Sequence, residues 1–131
     1  MVKPNRDELA AVTGAHTDDL ASIVAAARML RAAGPEWVVV SLGADGAVAV
    51  GADRAVHVTA PAVVALNPVG CGDVLVAGLA SGLASGLDVA SALPRAVAVS
   101  AASAAHPETG RFDPAFADGL VVGVTVLPEE N

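Results

Sequence analysis

Three consecutive valines, Val38-Val39-Val40, sit inside the near-continuous apolar run Trp37–Leu42 and constrain this chain more than any other stretch. β-Branched side chains favour strands, and successive residues of a strand point to opposite faces. A strand apolar on both faces needs cover on both, which is the pattern of a central strand in a parallel sheet between layers of helix. Such a chain has to supply helices on either side of this run.

Those helices can be read on both flanks. Met1 to Lys3 reads as the end of a strand. Pro4-Asn5 breaks it, and Asn5 is placed to cap a helix from Arg6 to Thr13 that stops at Gly14. Thr17 is the candidate cap of a second helix, in which Leu20, Ile23, Val24, Ala27 and Leu30 recur at helical spacing until Gly34-Pro35. After the valine run, Gly43-Ala44-Asp45-Gly46 reads as a turn and Ala47 to Val50 as the returning strand of a hairpin. Gly51 to Arg54 turns again towards Val56-His57-Val58. Pro61 to Leu66 then reads as an extended strand, followed by a helix from Gly72 to Leu87. Asp88 caps a further helix from Val89 to about Ala105, with Pro94 expected in its first turn or at a kink and Pro107 as its stop. A short helix over Asp113–Asp118 and a last strand over Val121–Leu127 complete the pattern. The expectation is one α/β domain over residues 1–131, a three-layer arrangement of a largely parallel sheet flanked by helices.

The stretch Asn67-Pro68-Val69-Gly70-Cys71-Gly72-Asp73 joins the strand expected over Pro61–Leu66 to the helix that follows. Strand, glycine turn and helix start together make an anion seat: the first helical N–H groups lack internal partners and the helix dipole favours negative charge. Asp73 would repel a phosphate there unless it has a chemical task, and accepting a proton from an attacking hydroxyl is such a task. On these seven residues alone, an ordinary capped helix start reads equally well. In parallel sheets ligands bind beyond the carboxyl ends of strands. Lys3-Pro4-Asn5, Ser41 to Gly46 and Asn67 to Asp73 all fall at such ends, so they are expected to serve one site.

Composition removes several classes. A formal net charge of −7 and a pI near 4.6 argue against nucleic acid as a partner, which needs clustered Lys and Arg. Aromatic residues are 2 % of the chain, too few for base-stacking platforms. The mean hydropathy of +0.61 reflects Ala and Val, and no uncharged apolar stretch reaches the ~18 residues of a membrane helix. The single cysteine, Cys71, forms no internal disulfide, and the N-terminus has no signal-peptide pattern, so a cytoplasmic location is expected. His16, His57 and His106 have no metal-ligand spacing.

Three blocks together resemble the C-terminal half of the ribokinase-like (PfkB) carbohydrate kinases, in the 1-phosphofructokinase and tagatose-6-phosphate kinase branch. They are Val2 to Leu9, Val38 to Ala47 and Asn67 to Asp73. The resemblance implies ATP-dependent phosphoryl transfer to a sugar-phosphate hydroxyl, fructose 1-phosphate to fructose 1,6-bisphosphate, with ATP and Mg²⁺. By the same resemblance Asp73 is the base, and Gly70, Cys71 and Gly72 form an anion hole for the transferring phosphoryl group. Asn5 and Glu8 help place Mg²⁺ and the nucleotide phosphates, Glu8 through water. Lys3 reaches phosphate oxygens, and Ser41, Gly43, Asp45 and Gly46 lie along the nucleotide. Taken singly these residues have plainer readings: Asn5 a helix cap, Glu8 a first-turn acid, Lys3 a surface lysine, and Gly43–Gly46 a hairpin turn.

The chain departs from the family pattern at Pro68, Cys71 and Val74, where Thr, Ala, and Ser or Thr are usual. Nothing in the chain resembles the N-terminal half that carries the sugar site and the lid of such kinases, so a fragment, a truncated gene product or half of a split assembly is expected. A truncated chain of this kind is expected to expose a sheet edge and to self-associate or pair with the missing half. The competing expectation is a nucleotide-binding or interaction module without appreciable catalysis.

Overall fold

The computed structural model describes residues 1–128. The chain has an α/β architecture. Helices α1 (Arg6–Thr13) and α2 (Leu20–Ala32) precede strand β1 (Val38–Ser41), a 3-10 turn over Gly43–Asp45 and strand β2 (Ala47–Val50). Strand β3 (Ala55–Thr59) follows, then helices α3 (Cys71–Ala84), α4 (Val89–Ala104) and α5 (Pro114–Gly119), and strand β4 (Gly123–Val126). The sheet order is β1-β2-β3-β4. The described residues form two compact units, one comprising residues 1–57 with residues 125–128, the other Val58–Val124.

In the first unit β1 and β2 pair antiparallel, with Val38 opposite Val50 and Val40 opposite Val48. These four valines share a core with Leu9 of α1 and Ile23, Ala26 and Ala27 of α2. Val39 and its partner Ala49 point the other way and are equally inaccessible to solvent. The valine run is therefore buried on both faces. Its parallel neighbour is the N-terminal segment: Val2 bridges Val38 and Asn5 bridges Ser41, both parallel. Val2 donates to the Trp37 carbonyl at 3.1 Å and accepts from the Val39 amide at 2.9 Å.

Two expectations fail at element boundaries. Asp19, not Thr17, caps α2, its carboxylate accepting from the Ser22 amide at 2.7 Å. Thr17 is buried instead. The Pro61–Leu66 segment forms no strand. Proline has no N–H to donate there, and the Leu66 and Asn67 amides both donate to the Ala104 carbonyl, at 2.7 and 3.0 Å. The segment is thus tied to the last turn of α4. Pro94 lies inside α4, beyond its first turn.

In the second unit α3 and α4 approach closely along a glycine seam. A Cβ built on Gly78 would lie 2.8 Å from the Ala96 Cα, and one on Gly82 would lie 2.5 Å from the Ala92 Cβ. Gly82→Ala should therefore destabilise the fold by about 1–3 kcal/mol through overpacking. That outweighs the ~1 kcal/mol that alanine gains over glycine in a helix. The urea midpoint checks this, and an unchanged or raised midpoint would mean the helices separate at little cost.

Candidate functional site

In the first unit the expected residues gather around the start of α1 and the turn after β1. Asn5 caps α1: its Oδ1 accepts from the Glu8 amide at 2.8 Å, and the Glu8 Oε1 accepts from the Asn5 amide at 2.9 Å. This reciprocal capping box satisfies two N–H groups that the helix itself leaves open. The Asn5 side-chain Nδ2 and the second carboxylate oxygen of Glu8 remain outside the box. Lys3 donates to the Ser41 hydroxyl at 3.1 Å, which uses one of three ammonium donors.

The turn Gly43–Gly46 is held on three sides. Leu42 donates to the Gly46 carbonyl at 2.8 Å, and Gly43 and Gly46 take positive φ values of 59° and 89° that suit glycine. His57 Nε2 lies 3.0 Å from the Asp45 carbonyl oxygen. The Asp45 carboxylate faces Arg6 at 3.7 Å, an exposed pair that contributes little to stability. Neither Arg6 nor His57 was legible as part of this cluster, since their signal is spatial.

Asn5→Ala should cost about 1 kcal/mol, the usual loss of a helix cap. Asn5→Asp keeps an acceptor at the same place and should restore most of it. Chemical unfolding of both variants checks the cap separately from any ligand role; equal losses would contradict it.

In the second unit Gly70 is the N-cap of α3, with φ of 84°. That left-handed conformation turns the chain into the helix without a capping side chain. The Cys71 amide donates to the Pro68 carbonyl at a long 3.3 Å. Among the described residues, the amides of Gly70, Gly72 and Asp73 donate to no protein acceptor. Asp73 lies in the first helical turn, exposed, and its carboxylate has no hydrogen bond or ion pair among the described residues. Burial pushes the Cys71 thiol pKa up, so the thiol stays protonated near neutrality. The adjacent Ser103 acts the other way, although its buried hydroxyl has no hydrogen-bond partner among the described residues.

The sequence reading missed the side chain that shapes this turn. Asn67 Oδ1 accepts from the Val69 amide at 3.1 Å, an Asx turn that Asn-Pro could have signalled. Its Nδ2 reaches the Pro107 carbonyl at 3.3 Å and the Thr109 hydroxyl at 3.0 Å. The 107–110 loop is thereby fastened beside Gly70, where an added Cβ would lie 3.0 Å from the Thr109 Cγ2.

Among the described residues no three His, Cys, Asp or Glu side chains are placed to hold a metal ion together. A single acidic side chain with a free oxygen, Glu8, suits an ion that keeps most of its waters and is carried by a ligand's phosphates. Among the described residues no helix is long and apolar enough to cross a membrane.

Comparison with known proteins follows the same residues. The model of the pfkB family of carbohydrate kinases matches residues 1–115. A 1-phosphofructokinase from Haloferax volcanii is 44 % identical over 91 residues, which is 70 % of this chain and 30 % of that protein. A crystal structure of a candidate phosphofructokinase from Staphylococcus aureus superposes with a TM-score of 0.89 at 32 % identity, over 98 % of this chain and 42 % of that one. Phosphofructokinase-2 from Escherichia coli, crystallised with potassium, gives a TM-score of 0.83 at 26 % identity, over 91 % of this chain and 39 % of its own. The chain thus spans well under half the length of these relatives.

Proposed function

This chain belongs to the pfkB family of carbohydrate kinases, and from that premise we propose that it provides the nucleotide-binding and catalytic part of an ATP-dependent sugar-phosphate kinase. The acceptor we favour is fructose 1-phosphate, giving fructose 1,6-bisphosphate, because of the likeness to a 1-phosphofructokinase. One observation carries the reading: the left-handed turn at Gly70 delivers a helix start with unspent amides and, in the same turn, an exposed and unpaired acid.

In this reading Asp73 takes the proton of the attacking sugar hydroxyl. The amides of Gly70 and Gly72 donate to the oxygens of the transferring phosphoryl group, and the Asp73 amide joins them. The Cys71 amide contributes by exchanging its long bond to Pro68 for one to the phosphate. Phosphoryl transfer depends mainly on positioning and charge stabilisation, which preorganised donors supply. Lys3 meets phosphate oxygens, and Ser41 with the Gly43–Gly46 turn and Asp45 lines the nucleotide. Asn5 orients the same phosphates, and Glu8 would hold a bound Mg²⁺ through water. Bound Mg²⁺ would neutralise charge on the nucleotide phosphates.

The test is ATP-dependent turnover of the complete gene product with fructose 1-phosphate, fructose 6-phosphate and tagatose 6-phosphate. Fructose 1-phosphate should react fastest. No ADP release with any of the three would end the kinase reading.

The share of its relatives that the chain spans favours a second reading for these residues by themselves. They would bind nucleotide without appreciable turnover, since water exclusion and sugar contacts would come from elsewhere. Calorimetry of ATP on the isolated chain, beside the turnover assay, separates the two.

The segment Met1–Asn5 bonds to β1 on one side, and Met1 and Val2 remain 45 % and 40 % exposed. An apolar sheet edge of that kind pairs readily with another chain. We expect the isolated chain to self-associate in sedimentation equilibrium, and a monomer at high concentration would contradict this.

A further inference from the structure

The first turn of α3 has no cap of its own. Gly70 offers no side chain, and the Asn67 acceptor is already taken by the Val69 amide. Besides the helix's own bond from the Val74 amide to the Gly70 carbonyl at 3.0 Å, a side-chain tether reaches this turn from α4. The Ser100 hydroxyl donates to the Cys71 carbonyl at 3.0 Å, across 29 residues of sequence. The peptide group that carries this carbonyl also carries the Gly72 N–H. It is planar, and no peptide bond among the described residues is cis, so carbonyl and N–H point in opposite directions. Fixing the carbonyl towards α4 fixes the Gly72 N–H away from it. The anchor is a stiff one. Ala96, Val97, Val99 and Ala101 surround Ser100 on α4 and are buried, and Gly78 lets the Ala96 backbone come close to α3.

From this we propose that Ser100 is a positioning residue, aiming the Gly72 amide through the Cys71–Gly72 peptide. The proposal rests on the reading of Gly72 as part of the phosphoryl cradle. Ser100 itself touches no substrate. Its role is to keep a donor in place before the phosphate arrives, so that no reorganisation is needed when charge develops.

Ser100→Ala removes the tether and Ser100→Thr keeps a hydroxyl at the same place. Backbone ¹⁵N relaxation should give Gly72 and Asp73 order parameters near the rigid value of about 0.85 in the parent, falling in Ser100→Ala and recovering in Ser100→Thr. In the complete gene product, kcat of Ser100→Ala should fall roughly tenfold, below the 10²-fold that a 1 Å misplacement can cost, while KM for ATP stays unchanged. Ser100→Thr should recover it. Unchanged order parameters in Ser100→Ala overturn the proposal, as does unchanged kcat in a protein that Asp73→Asn inactivates. If the complete gene product turns over none of the sugar phosphates, the kinase reading fails instead, and the order parameters still decide whether Ser100 holds the Gly72 amide.

Discussion

Asp73→Asn should lower phosphoryl transfer by about 10²–10⁴-fold, the range that a positioned general base supplies, and leave nucleotide affinity nearly unchanged. The substitution keeps the size and shape of the side chain. Because Asp73 is exposed and its carboxylate has no partner among the described residues, the change breaks no contact that supports the fold. The acid does gain from lying in the first turn of α3, where the helix dipole favours negative charge. That gain is at most about 1 kcal/mol at an exposed site, so the urea midpoint should hardly move. Loss of kcat with an intact midpoint and intact ATP binding is the signature of a missing base. A variant that keeps most of its turnover would remove the role assigned to Asp73.

The second large effect is expected at Gly70. Alanine there must adopt φ near the present 84°, which costs an L-residue roughly 1–2 kcal/mol. Its Cβ would also meet the Thr109 Cγ2 at 3.0 Å, so either the 107–110 loop yields or the turn unwinds. Relief by unwinding moves the amides of Gly72 and Asp73, and a misplacement of about 1 Å can cost 10²-fold in rate. We therefore expect Gly70→Ala to lose about 1–3 kcal/mol of stability and roughly 10²-fold in kcat. Gly70→Asn should be milder, because asparagine tolerates the left-handed region. If alanine and asparagine behave alike and both retain full kcat, the turn does not set the position of these donors.

How much of this was legible in the sequence depended on whether the determinant was local. The valine run announced a strand buried on both faces, and Val38–Ser41 is one. The hairpin to Ala47–Val50 and the caps at Asn5 and Asp88 rest on neighbouring residues, and all three were readable. The cap of α2 was not. Thr17, Asp18 and Asp19 are all competent caps by chemistry, and the burial of Thr17, a tertiary fact, leaves Asp19 to serve. Pro61–Leu66 has strand-forming residues, yet strand formation also needs a pairing partner, and its last amide found the end of α4 instead. The left-handed turn at Gly70 before α3 was visible in the glycines. The braces of Asn67 and Ser100 join residues 29 to 42 positions apart and have no local signature.

The capping box at Asn5 and Glu8 has a thermodynamic corollary. Each of these side chains already satisfies the other's amide, so the segment is ordered before any ligand is present. A phosphate docking there would meet a prepaid arrangement, and calorimetry should find little of the heat-capacity change that accompanies coupled folding.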